Sequence, residues 1–199
     1  SQTNKDLLLT IVINDNKSND IIEDLCIAVK KEFPAISGVL VNYNTSNSNI
    51  ILGKETELIE GNDYIEENLD GKVFHISAES FFQVNPLTAM KMFSEVRKIV
   101  EDKFTKEEKP SILDVYAGSG SFSIFLSDLA SKITDIEQSE SAIKDGEVNL
   151  KVNKIDNISF VNGNAEEVLL DLTGCTRKPE GEEEAVEETA KMLNVYSDF

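Results

Sequence analysis

Residues 111 to 123 read Ser-Ile-Leu-Asp-Val-Tyr-Ala-Gly-Ser-Gly-Ser-Phe-Ser. Ile112, Leu113 and Val115 predict a short buried strand that delivers Asp114 and then breaks at Gly118 and Gly120. Glycines there allow positive φ and a close approach of backbone to a ligand. A helix is predicted from about Ser121, packing back on the sheet. A dinucleotide fingerprint would place a third glycine where this chain has Ser123, and it holds a pyrophosphate at the helix N-terminus, so that reading is disfavoured.

Acidic residues around such a turn suit a cofactor with a cation and no phosphate, and S-adenosylmethionine carries a sulfonium. Asp114 sits at the turn. The next predicted strand, Lys132 to Ile136, ends in Glu137, 19 residues after Gly118, where a carboxylate can accept hydrogen bonds from both ribose hydroxyls. A third strand, Ile158-Ser-Phe-Val-Asn, runs into Gly163-Asn-Ala-Glu-Glu. Asn164 there has two open readings, an amide beside adenine or the N-cap of a helix over Ala165 to Leu170. The order implies an α/β fold with a partial Rossmann-like class I methyltransferase sheet, its first three strands present.

Upstream, Phe74-His-Ile-Ser-Ala-Glu-Ser-Phe-Phe-Gln-Val-Asn-Pro leads into an amphipathic helix from about Pro86 to Phe104, with proline in its first turn. Ser80-Phe-Phe-Gln-Val-Asn, followed some thirty residues later by Leu-Asp-Val-Tyr-Ala-Gly-Ser-Gly-Ser-Phe, resembles the RNA 5-methyluridine (uracil-C5) methyltransferases of the TrmA/RumA type. The resemblance extends over roughly Asp6 to Leu172. It implies S-adenosylmethionine as cofactor and RNA, rRNA or tRNA, as partner. It also implies cofactor contacts from Gln83, Tyr116 and Glu137 beside Asp114, Gly118, Gly120, Ser121 and Asn164. Ser121 stands where the family usually has Asn, and Asn164 where it commonly has Asp.

The chemistry of that family adds a cysteine thiolate to C6 of uracil, so that C5 becomes nucleophilic, and a general base then removes the C5 proton. The family's Asp-Pro-Pro-Arg-like and Ser-Cys-Asn-Pro-like motifs do not occur in this sequence. Of its two cysteines, Cys26 falls in the apolar stripe Ile22, Cys26, Val29 of a predicted helix from Asn19 to Phe33 and reads as a buried small hydrophobe. Cys175 lacks the family's surroundings. No catalytic residue is assigned, and the chain is expected to be inactive alone. The alternative is a non-catalytic cofactor- or protein-binding module, or one half of a split enzyme.

With 199 residues and 40% apolar content the chain can bury a core. Residues 1–77 read as a small α+β domain of the RNA-gripping type, with strands over Leu7 to Ile13, Gly38 to Asn42, Asn49 to Leu52 and Lys72 to Ile76. His75 alternates with Phe74 and Ile76 at a surface or interdomain position. Residues 78–172 read as the partial cofactor-binding domain. Its first strand lacks the neighbour expected on its other side, so Leu113 and Val115 should lie on an open edge that a protein partner can cover. Residues 173–199 form an acidic tail, expected to be disordered or to hold a short helix over about Glu182 to Leu193.

Net charge is −18, from 37 acidic against 19 basic residues, which opposes phosphate binding unless a basic face is segregated. Lys91, Arg97, Lys98 and Lys103 on one helix are the candidates, and RNA contact is expected to be weak. By the same resemblance the central domain is expected to begin at about Leu7, and the family's N-terminal RNA-binding TRAM domain is expected to be absent. Two cysteines without a signal peptide point to a reducing, cytoplasmic setting. No metal-ligand spacing and no membrane-spanning run is present.

Overall fold

The computed structural model describes residues 1, 4–47, 49–83 and 85–173. The expected acidic tail, its short helix and Cys175 lie outside these, apart from Thr173.

The chain opens with β1 (Leu7–Ile13), α1 (Asp20–Glu32) and β2 (Ile36–Tyr43), followed by β3 (Glu55–Gly61). Asn19 starts α1, its side-chain oxygen accepting from the backbone N–H of Ile21 and Ile22 at 3.1 Å each. Asp20 and Glu23 occupy the first turn and Lys30 and Lys31 the last, each sign at the helix end where the macrodipole favours it. β1 runs parallel to β2, and β3 antiparallel, in the order β1-β2-β3. One face of this sheet and α1 enclose Cys26, Ile36, Val39 and Val41. Cys26 is wholly buried, as its apolar stripe predicts, and burial pushes its thiol above the usual range.

The strand expected over Asn49 to Leu52 does not form. Asn44 donates its side-chain amide to the carbonyls of Ile50 and Ile51, at 2.7 and 2.9 Å, and the buried Asn42 accepts from Gly53 N–H at 2.6 Å. These side chains take the backbone groups that a strand would pair, leaving Ile50 and Ile51 exposed. The third strand is instead the Glu-rich β3.

β4 (Tyr64–Leu69) and β5 (Lys72–Ser77) form a hairpin closed by Asp70 and Gly71, both at positive φ (50° and 79°), the geometry of a two-residue primed turn. Then come α2 (Pro86–Lys103), β6 (Ser111–Val115), α3 (Ser121–Leu126), β7 (Lys132–Glu137), α4 (Glu140–Asn153), β8 (Ile158–Asn162) and α5 (Ala165–Thr173). The last three strands make a parallel sheet in the order β6-β7-β8. The architecture is α/β, with a parallel three-stranded sheet preceded by a small α+β unit.

Leu69 and Phe74 of the hairpin are buried in the core of this second sheet, with Phe93 of α2 and Ile124 and Phe125 of α3. Phe93 stacks on Phe125 at 4.7 Å and meets Phe122 edge-on at 4.6 Å. The edge of β5 away from β4 is met by side chains of α4. Asn153 accepts from Val73 N–H at 2.9 Å and donates to Val73 C=O at 2.7 Å, and Asn149 accepts from His75 N–H at 2.7 Å and donates to His75 C=O at 3.3 Å. Asp145 accepts from Ser77 N–H at 3.1 Å and from the Ser80 hydroxyl at 2.5 Å. Four helical residues rise about 6 Å and two strand residues about 6.8 Å, so an i, i+4, i+8 row can serve alternate residues of a strand. This ladder fixes the hairpin, and the Ser80–Gln83 segment after it, to the helix that follows β7. His75 stacks on Tyr64 with ring centres 4.0 Å apart, its Nε2 3.7 Å from Glu66.

Candidate functional site

The carboxyl ends of β6 and β7 meet at the glycine turn. Tyr116 leaves β6 at φ 62°, a left-handed conformation that strains a bulky residue, and Gly118 and Gly120 follow at 58° and 74°. A side chain on Gly118 would meet nothing within 4 Å, so the turn opens outward there. A Cβ on Gly120 would stand 2.9 Å from Asp135 Oδ2 and 3.1 Å from the Phe160 ring, so this position closes inward on the sheet.

Glu137, at the end of β7, is braced from both sides. Its Oε2 accepts from Gly118 N–H at 2.9 Å, while Oε1 accepts from the N–H groups of Gln138 and Ser139 at 2.9 and 2.8 Å. These bonds take three of the carboxylate's four lone pairs and leave one, on Oε2, for a ligand donor. Tyr116 is 63% exposed and donates its hydroxyl to Glu166 Oε1 at 2.7 Å, which pushes the phenol above its ordinary range. Asn164 caps α5, its side-chain oxygen accepting from Glu166 N–H at 3.0 Å and Glu167 N–H at 3.3 Å. Ser121 opens α3, half-buried, and Gln83 is half-buried between Phe82, which packs on the core, and Asn85, which caps α2. Glu137, Gly118, Gly120 and Tyr116 thus gather at one corner, with Asn164 joined to it through Glu166.

Beneath the turn Asp114, the acid that the sequence placed there, meets Asp135, which the sequence did not single out. Asp114 and Asp135 are register partners on neighbouring strands. Ser123 Oγ stands 3.2 Å from Asp114 Oδ2 and 2.5 Å from Asp135 Oδ1. Burial pushes Asp114 up to about 6 and Asp135 up to about 7, the Asp114 charge adding to the second shift. Asp135 Oδ2 is buried without a hydrogen-bond partner. The only signal in the sequence was parity: Asp135 lies two residues before Glu137 and so shares its side of the strand.

Arg97, a candidate for RNA contact, is taken up within the protein. It forms a bidentate pair with Asp128 at 2.7 and 2.6 Å and reaches Glu101 at 3.0 Å, while Lys98 pairs with Glu95 at 2.8 Å. Among the described residues no cluster of three or more His, Cys, Asp or Glu is placed to hold a metal, and no helix is long and apolar enough to cross a membrane.

The closest-fitting features have counterparts in known proteins. A crystal structure of a Pyrococcus abyssi tRNA (uracil-54, C5)-methyltransferase in complex with S-adenosyl-L-homocysteine superposes with a TM-score of 0.62 at 23% identity, covering 80% of this chain and 36% of that one. An uncharacterized RNA methyltransferase of Fusobacterium nucleatum is 31% identical over 178 residues, 89% of this chain and 38% of its own length. Another, from Listeria innocua, is 34% identical over 150 residues, 75% of this chain and 31% of its own. The chain therefore spans under two-fifths of the length of either relative.

The fold is that of the class I S-adenosylmethionine-dependent methyltransferases. The tRNA (Uracil-5-)-methyltransferase family profile matches residues 30–178, and the chain belongs to that family, whose cofactor is S-adenosylmethionine.

Proposed function

We propose that this chain is the cofactor-binding portion of an RNA uridine-C5 methyltransferase, acting on rRNA or tRNA in the cytoplasm. The observation that carries the reading is the Glu137 carboxylate, fixed by Gly118 N–H beside a turn that opens outward at Gly118. The fit to S-adenosylmethionine is good: Glu137 accepts from the ribose, Asn164 offers its amide to adenine, and Gly118, Gly120 and Ser121 shape the floor. Asp114 supplies negative charge beneath a cation, and Tyr116 and Gln83 flank the cofactor. Bound there, the cofactor supplies an electrophilic methyl group. The residues described here bind and orient it; activation of uracil needs a thiolate and a base from a segment outside this sequence, so the chain alone is expected to be inactive.

Within this reading the N-terminal sheet grips RNA, and the β4–β5 hairpin, whose Phe74 lies in the second core, belongs with the cofactor unit. The division between the two units then falls near Gly61 rather than at residue 77. A net charge of −18 and the internal pairing of Arg97 make RNA affinity weak for this chain by itself. One observation favours a second element of the reading. Among the described residues β6 pairs with β7 alone, so its other edge is open to further strands, from the same polypeptide or from a partner protein.

Calorimetric titration with S-adenosylmethionine tests the proposal. Saturable binding to the wild-type chain, weakened at least about tenfold by Glu137→Ala, is the expected result, since hydrogen bonds to a charged group contribute about 1.5–3 kcal/mol. No binding to a chain shown to be folded by circular dichroism would overturn it.

A further inference from the structure

We infer that Asp114 and Asp135 share one proton through Ser123, and that a cationic cofactor seated at the glycine turn expels it. The inference rests on the cofactor reading above and adds to it a positioning residue, Asp135.

The argument is one of donors and acceptors. A serine hydroxyl has a single proton to donate. Ser123 Oγ is 2.5 Å from Asp135 Oδ1 and 3.2 Å from Asp114 Oδ2, so if it donates to the nearer oxygen, only lone pairs face Asp114. The second contact becomes a hydrogen bond when Asp114 carries a proton and donates to Ser123. The unpartnered, buried Asp135 Oδ2 further opposes a doubly ionised pair. Among the described residues no lysine or arginine charge offsets the pair. α3 contributes Ser123 and the turn Gly120, whose Cβ position also meets the Phe160 ring of β8, while Glu137, on the same side of β7, is already held by three backbone N–H groups. Both carboxyls accordingly stand above the ordinary carboxylate range.

A sulfonium and an ammonium brought over the turn favour the ionised form of Asp114. Its O–H bond breaks, the proton passes to the buffer, and the carboxylate remains facing the cation; no electrons are transferred.

Titration of the full chain with S-adenosylmethionine in phosphate and in Tris, whose ionisation enthalpies differ, counts the protons released. Wild type is expected to release close to one proton near pH ~6.5, with affinity rising several-fold between pH ~6 and pH ~8 and levelling above. Asp114→Asn, which removes the proton-carrying carboxyl, is expected to bind with a pH-flat affinity and no proton release, and Asp135→Asn, which keeps Asp114 buried but takes away the neighbouring charge, to release fewer protons than wild type at the same pH. Wild-type binding with buffer-independent enthalpy, proton release retained in Asp114→Asn, or release undiminished in Asp135→Asn would overturn the inference alone. Failure of the folded wild type to bind at all would overturn the cofactor reading and this inference with it.

Discussion

Asp135 is wholly buried on the central strand of the parallel sheet, and its folded-state proton affinity sets a pH dependence. In the unfolded chain both aspartates titrate near 3.8; in the fold they stand at about 6 and about 7. Between those limits the folded state binds more protons, so stability falls as pH rises through the folded values, by up to about 1.4 kcal/mol per pH unit for each proton involved. Urea unfolding at pH ~5 and pH ~8 should show a larger loss for wild type than for Asp135→Asn, which removes one of the two titrations. Comparing the two proteins cancels the general effect of the other acids. At Gly120, φ of 74° and a Cβ position 2.9 Å from Asp135 Oδ2 exclude a side chain. Gly120→Ala should cost about 1–3 kcal/mol and weaken cofactor binding, read by thermal melting and titration together.

The hairpin and α4 illustrate what can be read of elements. The Asp70-Gly71 pair is the strongest short-range hairpin signal, and it does mark the β4–β5 turn, yet β3 and β4 were not foreseen. Their sequences, Glu-Thr-Glu-Leu-Ile-Glu-Gly and Tyr-Ile-Glu-Glu-Asn-Leu, are rich in glutamate, which single-strand propensity disfavours; pairing with β2 and β5 makes them strands. Conversely, Ile50 and Ile51 look like strand residues until Asn44 takes their carbonyls. The row Asp145, Asn149, Asn153 is polar at helical spacing, and the fold turns it onto β5. Asn149→Ala would leave the N–H and C=O of His75 without partners in a buried setting and should destabilise by about 1–3 kcal/mol in urea titration, more than substitution of the exposed Lys151. Phe74→Ala, which empties the junction between hairpin, α2 and α3, should cost about 3–5 kcal/mol.

Over the whole molecule, charge and edge decide behaviour. With 37 acids against 19 bases, self-repulsion destabilises the compact state and salt screens it. The melting temperature should therefore rise as NaCl is increased from about 0.05 to about 0.5 M. An unchanged or falling value would mean that local pairs such as Arg97–Asp128 outweigh the net field.

The sequence by itself determined the frame of the glycine turn: strand, turn, helix, strand and terminal acid are a local pattern whose spacing prescribes its own geometry, so the positions of Gly118, Gly120 and Glu137 at the strand ends were legible without coordinates. It equally determined α1, α2, β1, β2 and β5, where apolar periodicity and caps agree. Only the tertiary structure decided what depends on contact between distant segments. That includes the strands made by pairing, the amide ladder that holds the hairpin on α4, and the buried meeting of Asp114 with Asp135 across two strands. Residues 21 apart in a chain reveal no shared hydroxyl until parallel register brings them side by side, because the energy of a buried charge lies in its surroundings rather than in its own identity.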